Sequence, residues 1–152
     1  THPECKGMGT TMVGAVCLGD RTTIFNIGDS RAYRLRCGAI EQISQDHSVV
    51  AEMVAQGVIT EEQAMSHPYR NVITQAVGTA ETLNPDIKTI DIKKGDKYIL
   101  CSDGLYEYVS KKEMCELLMR YAPDDAAQMM VEKALENGGK DNVTVMIAEV
   151  AL

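Results

Sequence analysis

An α+β fold, antiparallel sheet with helices packed outside it, is predicted by three observations. Strand-like runs are joined by two-residue turn signals, which only antiparallel neighbours allow. Two well-capped amphipathic helices follow one another late in the chain, rather than alternating with strands. A last apolar strand closes the sequence.

The first 45 residues read as a meander. Thr10 to Leu18 is rich in strand formers, Gly19-Asp20 signals a hairpin, and Arg21 to Ile27 resumes the strand. After Gly28-Asp29-Ser30, Tyr33, Leu35 and Cys37 alternate with Arg34 and Arg36, the period-two mark of a half-buried strand. Gly38 turns the chain into a short strand over Ile40–Ile43. Residues 46 to 79 break the rhythm as a small helical insert. Asp46 or Ser48 caps a helix carrying Val49, Val50, Met53 and Val54, ended by Gly57. Thr60-Glu-Glu-Gln63 is a capping box for a second helix.

Strands at Ile87–Ile92 and Lys97–Cys101 come next, joined by Lys93-Lys-Gly-Asp96. Ser110-Lys-Lys-Glu113 opens a helix with Met114, Leu117, Leu118 and Tyr121 on one face. Pro123-Asp124-Asp125 opens another, whose Ala127, Met130, Val131, Ala134 and Leu135 form a stripe. Asn137-Gly138-Gly139 stops it, and Val143 to Val150 is the final strand. The whole span 1–152 reads as one domain.

Composition narrows the function. At 152 residues, 45% hydrophobic and 24% charged, the chain is of globular type. With one Phe and no Trp, nine Met and the aliphatics must fill the core. A net charge of −7 without a dense basic run argues against nucleic-acid binding. No run approaches the ~20 apolar residues of a membrane helix, and no signal peptide is visible. Five cysteines, none in a Cys-x-x-Cys pair, point to a reducing cytoplasm, with Cys17 and Cys101 as small buried hydrophobes.

Three aspartates, Asp29, Asp103 and Asp141, each border a strand-like run beside a glycine- or asparagine-bearing turn. In antiparallel sheets such positions can converge on one rim, where carboxylates hold hard divalent cations. The competing reading is Asp in its ordinary turn-forming role. Arg31 is read as pairing with a nearby carboxylate, His67 as fixing local geometry, and Thr10 and Thr11 as strand residues.

Seven motifs occur in order: Gly7-Met-Gly-Thr-Thr11, Asn26-Ile-Gly-Asp-Ser-Arg-Ala-Tyr33, Asp46-His-Ser48, His67-Pro-Tyr-Arg-Asn71, Ile73-Thr74, Cys101-Ser-Asp-Gly-Leu105 and Gly138-Gly-Lys-Asp-Asn-Val-Thr-Val145. Together they resemble the bacterial branch of the PP2C-type metal-dependent protein serine/threonine phosphatases. The resemblance implies an antiparallel β-sandwich flanked by helices, and hydrolysis of phosphoserine and phosphothreonine on proteins by a metal-bound water at a binuclear Mn²⁺ or Mg²⁺ centre. It implies Asp103 and Asp141 as ligands of a catalytic metal, and Asp29, with Asp103, as holding a weaker third. Gly104, Asn142, Ser30 and Arg31 would support them, and residues 46–79 would form a flap beside the site. The partners implied are phosphorylated protein substrates of a serine/threonine kinase, with neither nucleic acid nor membrane.

Members of that family also carry a section before the Gly-Met-Gly-Thr-Thr strand. It holds the acidic Asp-Gly element that bridges the two metals, a phosphate-binding arginine and a histidine proposed as general acid. Nothing before Thr1 matches it. The expectation is therefore part of a metal cage and an incomplete sheet, whose exposed edge lets the chain self-associate. The alternative from another class is a module of the same fold that binds protein or metal without turnover.

Overall fold

Strand register sets the architecture of the computed structural model, which describes residues 7–151. In chain order the elements are β1 (Met12–Leu18), β2 (Arg21–Ile27), β3 (Arg31–Arg36), β4 (Ala39–Gln42), α1 (Val49–Ala55), α2 (Glu61–Met65), β5 (Asp86–Asp91) and β6 (Lys97–Cys101), then α3 (Asp103–Tyr106), α4 (Lys111–Arg120), α5 (Pro123–Glu136) and β7 (Val145–Glu149). One sheet has the order β1-β2-β5, the other β4-β3-β6-β7, and every pairing is antiparallel. This is the α+β layering the sequence predicts.

Alternation along β2 explains how the sheets face each other. Thr22, Ile24 and Asn26 are fully buried, whereas Arg21, Thr23 and Phe25 are on the other face. Ile24 packs with Ala32, Ile43 and Tyr98 between the sheets. The second sheet buries apolar side chains on both faces. Its outer side presents Tyr33, Leu35, Ile99 and Cys101 to Leu105, Val109, Met114, Leu118, Ala126, Met130 and Ala134 of the helical layer. Each large side chain buried there contributes about 1.5–3 kcal/mol. Met114 and Met130 have no exposed surface, so flexible thioethers fill space that aromatics take elsewhere.

The caps form as their sequences dictate. The Ser110 hydroxyl accepts from the Glu113 amide while the Glu113 carboxylate accepts from the Ser110 amide, and Thr60 and Gln63 do the same. Ser48, not Asp46, caps α1, accepting from the Ala51 amide. At the far end of β6, buried Asp96 receives Arg36 Nε at 2.7 Å and Nη2 at 2.5 Å. It also receives the Lys93 amide at 2.8 Å.

Four expectations change. Cys17 is exposed, because β1 is an edge strand. Cys37 lies outside β3, in the turn, with φ +51. The buried stripe of α5 is Ala126, Met130 and Ala134, which leaves Leu135 exposed. The short helix α3 is additional; four residues are too few to show a period. Cys5 lies outside the described residues. No helix among the described residues is long and apolar enough to cross a membrane.

Candidate metal centre

Arg31 at the start of β3 pairs with Cys101 at the end of β6, and Val145 at the start of β7 pairs with the same Cys101. Asp29 lies just before the first of these strands, Asp103 just after the second, and Asp141 before the third. Antiparallel register thus carries all three to one rim of the molecule.

Asp29 occupies the turn between β2 and β3, where the chain crosses from one sheet to the other. Gly28 takes φ +99, a conformation suited to glycine, and a β-carbon there would collide with Thr11. His47 secures this turn twice: its amide donates to the Gly28 carbonyl at 2.8 Å, and its Nδ1 accepts from the Gly28 amide at 3.2 Å. Buried Ser30 shares a hydrogen bond of 2.9 Å with Thr11.

Asp103 opens α3, and its Oδ1 accepts from the Gly104 amide at 2.9 Å. Asp141 is held in the same manner, its Oδ1 accepting from the Asn142 amide at 2.7 Å. The two loops are stitched together through Ser102. Its hydroxyl donates to the Asn142 carbonyl at 3.3 Å and accepts from the Thr144 amide at 3.0 Å.

Electrostatics marks Asp29 and Asp103 as a pair. Burial first, and then the charge of Asp103, push the Asp29 carboxyl above its usual value of 3.8. Asp141 is exposed on the adjoining loop. Among the described residues, no three His, Cys, Asp or Glu side chains form a group able to hold a metal ion. The donors present nevertheless fit a hard divalent cation, since carboxylate oxygens suit Mg²⁺ or Mn²⁺. A cation at Asp29 would offset both its burial and the neighbouring charge of Asp103.

Arg31 does pair with a carboxylate. Its Nε and Nη2 donate to Asp46 Oδ2 at 2.9 and 2.7 Å. Its guanidinium lies over the Tyr106 ring, 3.6 Å from the centroid. Asp46 is by sequence a helix-cap candidate, and Tyr106 lies outside the candidate site residues. Tyr106 falls three residues after Asp103, the i, i+3 spacing that keeps two side chains on one side of a helix, and that spacing is the available signal. His67 Nδ1 accepts from the Tyr69 amide at 3.2 Å, fixing its own turn.

A groove of about 1140 Å³ opens beside the rim. Asp29, Arg31 and Tyr106 border it, and Val50, Val54 and Met65 of α1 and α2 line it together with Tyr108.

The family model described as "Protein phosphatase 2C" matches residues 1–138. The serine/threonine protein phosphatase PstP of Mycobacterium tuberculosis is 41% identical over 149 residues, covering 98% of this chain and 29% of that protein. The crystal structure of the M. tuberculosis phosphatase PstP/Ppp superposes with a TM-score of 0.93 at 40% identity, over 99% of this chain and 63% of that one. A PstP catalytic domain in complex with two manganese ions gives 0.88 at 37%, over 99% and 62%. This chain therefore spans under a third of the full-length relative and about three fifths of the solved structures.

Proposed function

This chain belongs to the protein phosphatase 2C family, and from that membership we propose that the domain it forms part of hydrolyses phosphoserine and phosphothreonine on proteins. The observation that carries the reading is the rim itself. The half-buried Asp29 carboxyl is raised by burial and by the charge of Asp103, and the Asp141 loop is tied to the Asp103 turn through Ser102. Asp103 and Asp141 would hold a catalytic Mn²⁺ or Mg²⁺, and Asp29 with Asp103 a weaker one. When bound, such ions supply Lewis acidity, making water more acidic and neutralising charge on the phosphoryl oxygens.

The chain's own residues fix the donors. The Gly104 and Asn142 amides set the direction of the Asp103 and Asp141 carboxylates, at 2.9 and 2.7 Å. His47 and Ser30 hold the turn that presents Asp29. The insert over residues 46–79 acts as a flap, and its groove wall of Val50, Val54 and Met65 meets the polypeptide around the phosphorylated residue. The substrates would be those of a serine/threonine kinase. The free thiols of Cys17, Cys37, Cys101 and Cys115 support a cytoplasmic setting. The unpaired sides of β1 and β7, among the described residues, support self-association of this chain on its own.

Mn²⁺-dependent hydrolysis of an aryl phosphate and of a phosphothreonine peptide tests the reading. The full-length protein is expected to turn both over, and Asp103→Ala or Asp141→Ala to lower the rate by on the order of a hundredfold or more. An active protein indifferent to both substitutions would refute the assignment. The 152-residue chain alone is expected to show little turnover. A second reading, a binding module without turnover, draws on the lack of a three-donor group among the described residues. Metal binding by the full-length protein without hydrolysis of either substrate would favour it.

A further inference from the structure

Tyr106 reaches three parts of the structure at once. Its hydroxyl donates to the Asp29 carbonyl at 3.0 Å. Its ring lies against the Arg31 guanidinium, 3.6 Å from centroid to Cζ. Its own helix, α3, begins at Asp103. Arg31 is anchored on Asp46, which also accepts from Gln42 Nε2 at 2.8 Å, and Arg31 Nη1 donates to the Tyr33 hydroxyl at 3.3 Å. Asp46 belongs to the segment that enters α1, where its neighbour His47 grips the Gly28 turn.

We propose that Tyr106 is a positioning residue that fixes the Asp29 carboxylate relative to Asp103 and links this pair, through Arg31 and Asp46, to the helical insert. The proposal rests on the reading of Asp29 and Asp103 as cation ligands.

Three features carry it. Two like charges on neighbouring turns repel, so the Asp29 turn relaxes outward unless something holds it. The Tyr106 hydroxyl holds the backbone of that turn with a neutral donor and adds no charge to the site. A cation placed directly against the pair would neutralise it and compete with a metal ion. Arg31 does not do this. Its charge is committed to Asp46 and to the Tyr106 ring. A shift of the insert that moves Asp46 would therefore move Arg31, then the ring, then the Asp29 turn.

The test uses the full-length protein, with Mn²⁺ binding followed by isothermal titration calorimetry and melting followed in the metal-free state. Steady-state kinetics on an aryl phosphate run in parallel. Asp29→Asn identifies the binding step that depends on Asp29. Tyr106→Phe keeps the ring over Arg31 and loses only the hydroxyl. It is expected to weaken that same step about three- to tenfold, the worth of one hydrogen bond. The Mn²⁺ concentration for half-maximal activity should rise in step, with the metal-free melting temperature close to wild type. Asp46→Asn loosens Arg31 without touching the ring and should shift the same step in the same direction. Wild-type titrations for Tyr106→Phe and Asp46→Asn, beside a weakened Asp29→Asn, overturn the proposal. A wild-type titration for Asp29→Asn removes the cation reading of Asp29, and the proposal falls with it.

Discussion

Gly104 and Asn142 stand so close that a β-carbon on Gly104 would overlap the Asn142 carbonyl oxygen. The start of α3 and the loop carrying Asp141 are thus packed backbone to backbone, with no side chain between. Gly104→Ala must push the loop away, at a cost of about 1–3 kcal/mol in stability. The displacement also carries Asp141 off its place. Mn²⁺-dependent activity of the full-length protein is expected to fall by on the order of tenfold or more, since small misplacements are costly in catalysis. A melting curve and a rate assay on one preparation separate the two effects.

Asp29→Asn should act in opposite directions on folding and on cation binding. The Asp29 carboxyl is raised above 3.8 by burial and by Asp103. A raised acid favours the fold only when protonated, so its contribution is present below the unfolded value and lost as pH rises through the raised one. At neutral pH the ionised group therefore opposes folding. The Asn variant is expected to melt higher without metal and to lose that advantage in excess Mg²⁺. Equal melting temperatures in both conditions would contradict this.

At the opposite end of β6 the sign reverses. The hydrogen bond from Arg36 comes first among the causes that hold the Asp96 carboxyl below 3.8; the Lys93 amide adds to it, against burial. This contribution is complete above the unfolded value and is lost as pH falls through the lowered one. Asp96, 1% exposed, is the buried partner of the pair. Asp96→Asn leaves Arg36 without its counter-charge and is expected to cost about 2–4 kcal/mol near neutrality. The cost should shrink as the wild type is acidified below about pH 4. Denaturant melts at pH 7 and pH 3.5 check both halves.

Edge strands predict behaviour of the 152-residue chain on its own. Among the described residues β1 pairs with β2 alone and β7 with β6 alone. Met12, Val16 and Leu18 on β1 and Met146 on β7 are exposed. The apparent mass in light scattering is expected to rise with concentration, and a lysine at Val16 or Met146 to suppress the rise.

Much of this was legible in sequence because local chemistry decided it. Arg21–Ile27 and Lys97–Cys101 alternate or turn where the structure does, and Ser110 and Thr60 announce their caps. What escaped depends on contacts far apart in the chain. Cys17 looks buried by its neighbours in sequence, but its exposure follows from the place of β1 in the sheet. Asp46 has the chemistry of a helix cap and serves Arg31 instead, 15 residues away. Tyr106 carries no acid–base signature, and only the folded turn brings Asp29 beneath its hydroxyl, 77 residues earlier.

β6 spans five residues, from Lys97 to Cys101, between the Arg36–Asp96 latch and the Asp103 rim. Both neighbouring strands are locked to it in register, so it works as a ruler read in steps of two. Insertion of a single residue would do more than lengthen it. Every side chain beyond the insertion would change face, sending Ile99 or Cys101 toward the other sheet and turning Asp103 out of phase with Asp29. Insertion of two residues would restore the phase and lengthen only the span. Two-residue insertions in β6 should therefore be better tolerated than one-residue insertions, a parity rule in which the larger change does the smaller harm.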